Sequence, residues 1–123
     1  MFYIYTPLNS EQSKMKGKES QAINRLYSIG IHCFVKYYEI FQANNIKTSN
    51  SEIMDAFSKN NESWTENSYK TRASNGKATF RDKQELEVLD FIIHSEENGK
   101  ISIADIEKAK KLRFNLIYSF RNN

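Results

Sequence analysis

The sequence predicts an all-α protein of about five helices. Apolar residues recur at intervals of three and four along most of the chain, and no segment reads convincingly as a strand. Only one proline and four glycines are present, so few residues would interrupt a helix. The 123 residues suffice for one packed domain, and a 13% aromatic share favours an ordered core over a disordered chain.

The chain divides into an N-terminal arm, residues 1–18, and a single helical domain, residues 19–123. The arm begins with aromatic side chains and continues with three lysines, Lys14, Lys16 and Lys18. Polar, lysine-rich termini are usually mobile, so we expect the arm to be partly flexible.

Three helices are predicted to form a tri-helical core. The first and longest spans 19–43, where apolar residues hold the helical spacing. A short second helix begins at the S-x-x-E sequence of residues 49–52, in which Ser49 and Glu52 would cap each other's backbone N–H groups. A third begins at Ser63 or Thr65 and continues to about residue 81.

Two C-terminal helices are predicted to brace this core or to form a dimer interface. One covers residues 82–98 and closes at the Asn98–Gly99 turn. The other begins near Ser102 and carries an apolar face on one side and basic residues on the other. Basic residues late in a helix suit its dipole without any functional role.

Residues 49–80 read as a helix, a polar turn and a second helix rich in hydroxyl, amide and basic side chains, which predicts a helix-turn-helix nucleic-acid-binding unit. Residues 65–81 contain four basic residues and a single acid, Glu66. If this segment is a helix, Ser68, Thr71, Arg72 and Asn75 share one outer face. Arg72 and Asn75 are expected to read bases, and Ser68, Lys70, Thr71 and Lys77 to contact phosphates. The predicted binding residues are Ser68, Lys70, Thr71, Arg72, Asn75, Lys77 and Arg81.

The predicted partner is DNA, or RNA, bound by a transcriptional regulator or by an accessory protein of a mobile element. The alternative is a small helical interaction module or oligomeric adaptor without nucleic-acid binding. Residues 82–97 carry six acids against one lysine, so this segment is a candidate surface for a protein partner. The charged blocks could instead neutralise one another across the fold. A homodimer is compatible with either function.

Arg25 and His32, separated by six residues, provide a third possibility. This spacing resembles the R-x(4–6)-H signature of HEPN-type ribonucleases. That resemblance implies an all-helical, dimeric ribonuclease whose RNA cleavage would be abolished by His32→Ala.

The primary prediction is a protein without enzymatic activity, cofactor or metal. Cys33 is the only cysteine, which excludes an internal disulfide, and its apolar neighbours predict a buried thiol. Residues 94–105 resemble an EF-hand loop but hold His94 where a carboxylate is needed, so they are interpreted as an ordinary turn between helices. No apolar run approaches a membrane span and no signal peptide is evident, so a cytoplasmic location is expected.

Overall fold

The computed structural model describes residues 20–121, except the side chains of residues 97, 98 and 121. The predicted N-terminal arm, residues 1–18, lies outside the described residues. The described chain is all-α, as predicted, and five of its helices have seven residues or more. The helices are α1 (Gln21–Ile29), α2 (Ile31–Lys36), α3 (Tyr38–Ala43), α4 (Ser51–Lys59), α5 (Glu66–Arg81), α6 (Glu85–His94) and α7 (Ile103–Arg121), with a 3₁₀ turn at Ser95–Asn98.

The single helix predicted over 19–43 is wrong, because this stretch forms α1, α2 and α3. The first break lies at Gly30, whose φ of 92° is readily adopted only by glycine. The second lies at Tyr37, whose φ of −108° and ψ of 19° depart from helical values. Apolar spacing continues through both breaks because all three segments contribute to the same core.

Helix α5 is the centre of the fold and packs against α1, α3 and α4. Its inward side carries Ala73, Gly76 and Phe80, all of which are buried. Gly76 allows a close approach, since a Cβ built at this position would lie 2.5 Å from ring atoms of Phe41. The ring of Phe41 is itself fully buried, so the glycine sets the distance between α3 and α5.

Aromatic rings fill the space between α5 and the helices around it. Phe57 of α4 contacts Tyr37 at a ring-centroid distance of 4.8 Å, Trp64 at 5.2 Å and Tyr69 at 5.5 Å, all edge to face. On the other side, Phe80 of α5 stacks on Phe34 of α2 at 5.9 Å. Edge-to-face and offset pairs are the favoured ring geometries, and this cluster fixes α4 against α5.

Helices α6 and α7 pack on each other, and they meet the rest of the fold through α1 and α2 respectively. Asp105, in the first turn of α7, accepts from His32 of α2 at 3.0 Å. This bond joins the C-terminal pair of helices to α2, in line with their predicted bracing position.

The capping box predicted over residues 49–52 does not form. Ser49 Oγ accepts from the backbone N–H of Ser51, at 3.1 Å, and Asn50 is the N-cap residue of α4. The Glu52 carboxylate instead accepts from Lys47 Nζ at 2.6 Å, because that lysine lies on the segment just before the helix. The other proposed cap does form, since Thr65 Oγ1 accepts from the N–H of Ser68 at 3.1 Å.

Within residues 20–121, no helix is both long enough and apolar enough to cross a membrane.

Candidate nucleic-acid interface

The outward side of α5 is a polar stripe in the first two turns of the helix. Its four residues follow the spacing i, i+3, i+4, i+7, which places them on one helical face. They are Asn67, Lys70, Thr71 and Ser74, and all are exposed. Among residues 20–121, the stripe makes one ion pair, a loose one between Lys70 Nζ and Glu66 at 3.6 Å. The stripe therefore offers amide, hydroxyl and ammonium groups to an incoming ligand.

The N-terminus of α4 lies beside this stripe. Asn50 Nδ2 donates to Ser74 Oγ at 3.2 Å, which joins the start of α4 to the second turn of α5. The hydroxyls of Ser49 and Ser51 bond to each other at 3.0 Å at the same helix start, and both residues lie on or near the surface. Backbone N–H groups at a helix N-terminus favour anions. The α4 start and the α5 stripe together are called the α4–α5 polar face below.

Lys77 holds this arrangement in place from inside the protein. Its side chain is only 6% exposed, and its ammonium donates to the carbonyls of Lys47, Thr48 and Ser49 at 2.7, 3.5 and 3.4 Å. Burial, reinforced by nearby Arg81, lowers the pKa of Lys77 below its ordinary value. The three carbonyls belong to the segment that leads into α4, so Lys77 positions the α4 start.

Arg72 is also directed into the fold. Its guanidinium donates to the carbonyl of Ile29 at 2.5 Å and lies 3.9 Å from the centre of the Trp64 ring. Its Nε donates to Ser68 Oγ at 2.9 Å. The Ile29 carbonyl ends α1 just before the break at Gly30, so Arg72 caps this helix end and ties α1 to α5.

Asn75 and Arg81, also predicted to bind nucleic acid, differ in how exposed their side chains are. Asn75 is half-buried and donates to the carbonyl of Thr71, within its own helix, at 2.9 Å. Arg81 is exposed at the far end of α5 and lies 4.0 Å from a carboxylate oxygen of Asp82. The structure therefore brings Lys70 and Thr71 together on the outward face, with Arg81 further along. Ser68, Arg72 and Lys77 make partly buried bonds, and Asn75 bonds to its own helix at the surface.

Sequence reasoning missed the register of the outward face by one residue. The face predicted from Ser68, Thr71, Arg72 and Asn75 is replaced by one built from Asn67, Lys70, Thr71 and Ser74. Gly76 lies on the inward side but has no apolar side chain that would indicate this in the sequence. Arg72 and Lys77 are basic, which suggests that they face solvent, yet both side chains are turned inward. The spacing of the four stripe residues was visible in the sequence, but nothing there distinguished it from the adjacent register.

The turn before α5 is fixed by Glu62. Its carboxylate accepts from Lys36 Nζ at 2.8 Å and from the Tyr37 hydroxyl at 2.6 Å, and its backbone carbonyl accepts from the Tyr69 hydroxyl at 2.5 Å. Burial alone would raise the pKa of Glu62, but the hydrogen bonds from Lys36 and Tyr37 outweigh it and leave the pKa below its ordinary value of 4.5.

This lowered pKa predicts a loss of stability in acid. Glu62 binds its proton less tightly in the folded protein than in the unfolded chain. The stability that its carboxylate contributes is therefore present above pH 4.5 and is lost as the pH falls through the folded-state pKa. We expect Glu62→Gln to lower the free energy of unfolding at pH 7 by about 1–3 kcal/mol. The variant should also lose less stability than wild type between pH 7 and pH 3, measured by urea unfolding. Glu52→Gln, at an exposed glutamate, is the control. If Glu62→Gln lost as much stability in acid as wild type does, the assignment would be contradicted.

The histidine and arginine of the ribonuclease-like spacing bond to different parts of the fold. Arg25 Nη1 donates to Asp82 at 2.8 Å and to Gln84 at 2.7 Å, beyond the end of α5. His32 Nδ1 lies against Asp105 of α7. Each side chain therefore has a structural partner of its own, on a different element.

The acidic segment 82–97 makes many bonds to the chain itself. Asp90 pairs with Arg113 at 2.5 Å and Glu96 with Lys110 at 3.3 Å, and Glu87 accepts from Ser20 at 2.7 Å. Two of these bonds pair an acid of this segment with a base of α7.

Cys33 is buried, as predicted, and burial raises the pKa of its thiol to about 11, despite the opposing charge of Arg72. Between residues 20 and 121, no three His, Cys, Asp or Glu side chains are grouped so that they could hold a metal ion.

Comparison of the chain with protein-family models, with curated proteins and with solved structures found no match. Function is therefore inferred from the geometry of the chain itself.

Proposed function

We propose that this protein binds nucleic acid, most simply duplex DNA, through the α4–α5 polar face in the manner of a helix-turn-helix unit. The supporting observation is the exposed stripe Asn67, Lys70, Thr71 and Ser74, which lies next to the start of α4. In helix-turn-helix proteins the second helix enters the major groove with its N-terminal residues, while the first crosses the backbone. The stripe occupies the N-terminal half of α5, where that mode of binding needs it.

Each part of the face has a role that matches its chemistry. Asn67 carries the amide suited to paired contacts with adenine, and Lys70 the ammonium suited to phosphate or guanine. The hydroxyls of Ser49, Ser51 and Thr71 are suited to phosphate oxygens. Arg81 lies nearer the C-terminal end of α5, where it would reach only the backbone.

Arg72 and Lys77 act in this proposal as positioning residues. Their polar atoms are bonded to backbone carbonyls of other segments, so they hold the face in shape and do not contact the ligand. Such binding would suit a transcriptional regulator or an accessory protein of a mobile element.

The test is the salt dependence of binding to labelled random-sequence duplex DNA, and to RNA in parallel, between about 50 and about 200 mM salt. The double variant Lys70→Ala, Arg81→Ala should weaken binding and reduce the slope of log affinity against log salt by about 2, one for each lost phosphate contact. The matched control, Lys100→Ala with Lys111→Ala, removes the same charge from the loop before α7 and from α7.

Two results would overturn the proposal. One is the absence of binding to either nucleic acid at the lowest salt. The other is a control variant that weakens binding as much as the α4–α5 variant does, because attraction would then depend only on net charge.

A further inference from the structure

Helix α7 has a second, outward stripe that residues 20–121 leave largely exposed. On its inward side, α7 buries Ile106 and Ala109 in the core. On the outward side, residues follow one another at intervals of four and three, which is the heptad spacing of a helix that packs on another helix. They are Ile103, Glu107, Lys110, Phe114 and Ile117, called the α7 stripe below.

The stripe is apolar at both ends and charged in its middle. Ile103 is 80% exposed and Phe114 is 68% exposed, and the ring of Phe114 stacks on Tyr118 at 6.3 Å. Between these apolar ends, Glu107 and Lys110 lie one helical turn apart, with 3.9 Å between their charged atoms, and Lys110 Nζ also lies 3.3 Å from Glu96. Large apolar side chains exposed together, with polar residues around them, mark interaction sites.

A shallow groove extends the stripe towards α6. It has a volume of about 520 Å³ and is lined by Ile93 of α6 and by Phe114 and Ile117 of α7. The Asp90–Arg113 ion pair lies along the same groove. The surface is therefore wider than one helix and has room for the side chains of an opposing helix.

We propose that the α7 stripe is the dimer interface between two copies of this chain, with the two α7 helices antiparallel. A two-fold axis crossing α7 between Lys108 and Ala109 brings Ile103 opposite the partner's Phe114. The same axis brings Glu107 opposite the partner's Lys110.

The symmetry of the stripe favours a second copy over any other occupant. A two-fold interface uses the same patch on both subunits, so the patch must be complementary to itself. The stripe meets this requirement in shape, because the smaller Ile103 faces the larger Phe114 ring. It also meets it in charge, because an acid faces a base twice in each dimer. A dimer formed here stands whether or not the chain binds nucleic acid.

The first experiment measures the mass of the full chain by light scattering and sedimentation over a range of concentrations. We expect a dimer that dissociates on dilution. Ile103→Asp should give a monomer, whereas Ile46→Asp, at an isoleucine that is 86% exposed between α3 and α4, should leave the dimer unchanged. A wild-type chain that stays monomeric at all concentrations would overturn the proposal, and would leave residues 1–19 or a different protein to cover the stripe.

Charge reversal tests the antiparallel register. Glu107→Lys places a lysine opposite the partner's Lys110, and Lys110→Glu places an acid opposite the partner's Glu107, twice in each dimer. Either variant alone should raise the dimer dissociation constant about tenfold or more. An equimolar mixture of the two should dimerise again as a heterodimer, since every opposed pair is then of opposite charge.

The mixture separates the interface from a purely structural role. If the Glu107–Lys110 pair only stabilised α7 within one chain, mixing the two variants would restore nothing, and that result would overturn the register. Circular dichroism confirms that each variant remains folded. As a direct check, the double variant Ile103→Cys, Phe114→Cys should form disulfide-linked dimers under oxidation, whereas the single variant Ile46→Cys should not.

Discussion

Replacing Arg72 with alanine should lower the free energy of unfolding by about 2–4 kcal/mol. The variant loses a charge-assisted hydrogen bond to the carbonyl of Ile29, at 2.5 Å, and a guanidinium–ring contact of 3.9 Å with Trp64. The carbonyl that ends α1 would lose this partner, and the break at Gly30 would be less well fixed. Urea unfolding followed by circular dichroism measures the change.

Two companions separate this structural role from a role in binding. Arg81→Ala, on the same helix but exposed, should change the free energy of unfolding by no more than about 0.5 kcal/mol. Arg72→Lys retains the charge but not the planar fork, so it should restore only part of the loss. An Arg72→Ala variant that is as stable as wild type, but does not bind DNA, would return this residue to the base-reading role that its sequence position predicts.

Gly76→Ala is expected to destabilise the protein by about 1–3 kcal/mol, although alanine is normally better than glycine inside a helix. The new Cβ would lie 2.5 Å from ring atoms of Phe41, which is fully buried and cannot swing into solvent. Either the ring or the whole of α3 has to move away from α5. Thermal and urea unfolding both report this loss.

The control for Gly76→Ala is Thr71→Ala, which introduces the same residue on the exposed side of α5. Because helix propensity alone acts there, this variant should be unchanged or slightly more stable. A Gly76→Ala variant more stable than wild type would show that α3 and α5 do not approach as closely as described.

Much of the fold could be predicted from apolar spacing and caps. Of the two starts predicted for the third helix, Ser63 and Thr65, the structure uses Thr65. The breaks at Gly30 and Tyr37 were not predicted, since the apolar pattern runs through them without interruption. The Arg72 guanidinium that bonds at the first break lies 43 residues beyond Ile29 along the chain. Spacing within one segment carries no information about such a distant partner.

The sequence predicted which helix would carry the candidate site, and the structure changes which side chains of that helix face outward. An acid-poor helix that follows a short helix and a polar turn identified α5 as the surface of interest. Basic side chains have apolar stems and can bury them while their charged ends bond to carbonyls, as Arg72 and Lys77 do. A sequence does not distinguish such residues from solvent-facing ones, which is why the predicted face was rotated by one residue from the stripe that includes Asn67 and Ser74.

The most direct test of the central claim is a map of the residues that random-sequence duplex DNA affects, obtained from amide chemical shifts of the labelled full chain during a titration at low salt. We predict that the largest changes fall on residues 49–51 and on Asn67, Lys70, Thr71 and Ser74, and that they weaken as salt is added. Changes confined to α7, or no changes at all, would contradict the assignment of the α4–α5 polar face as a nucleic-acid-binding surface.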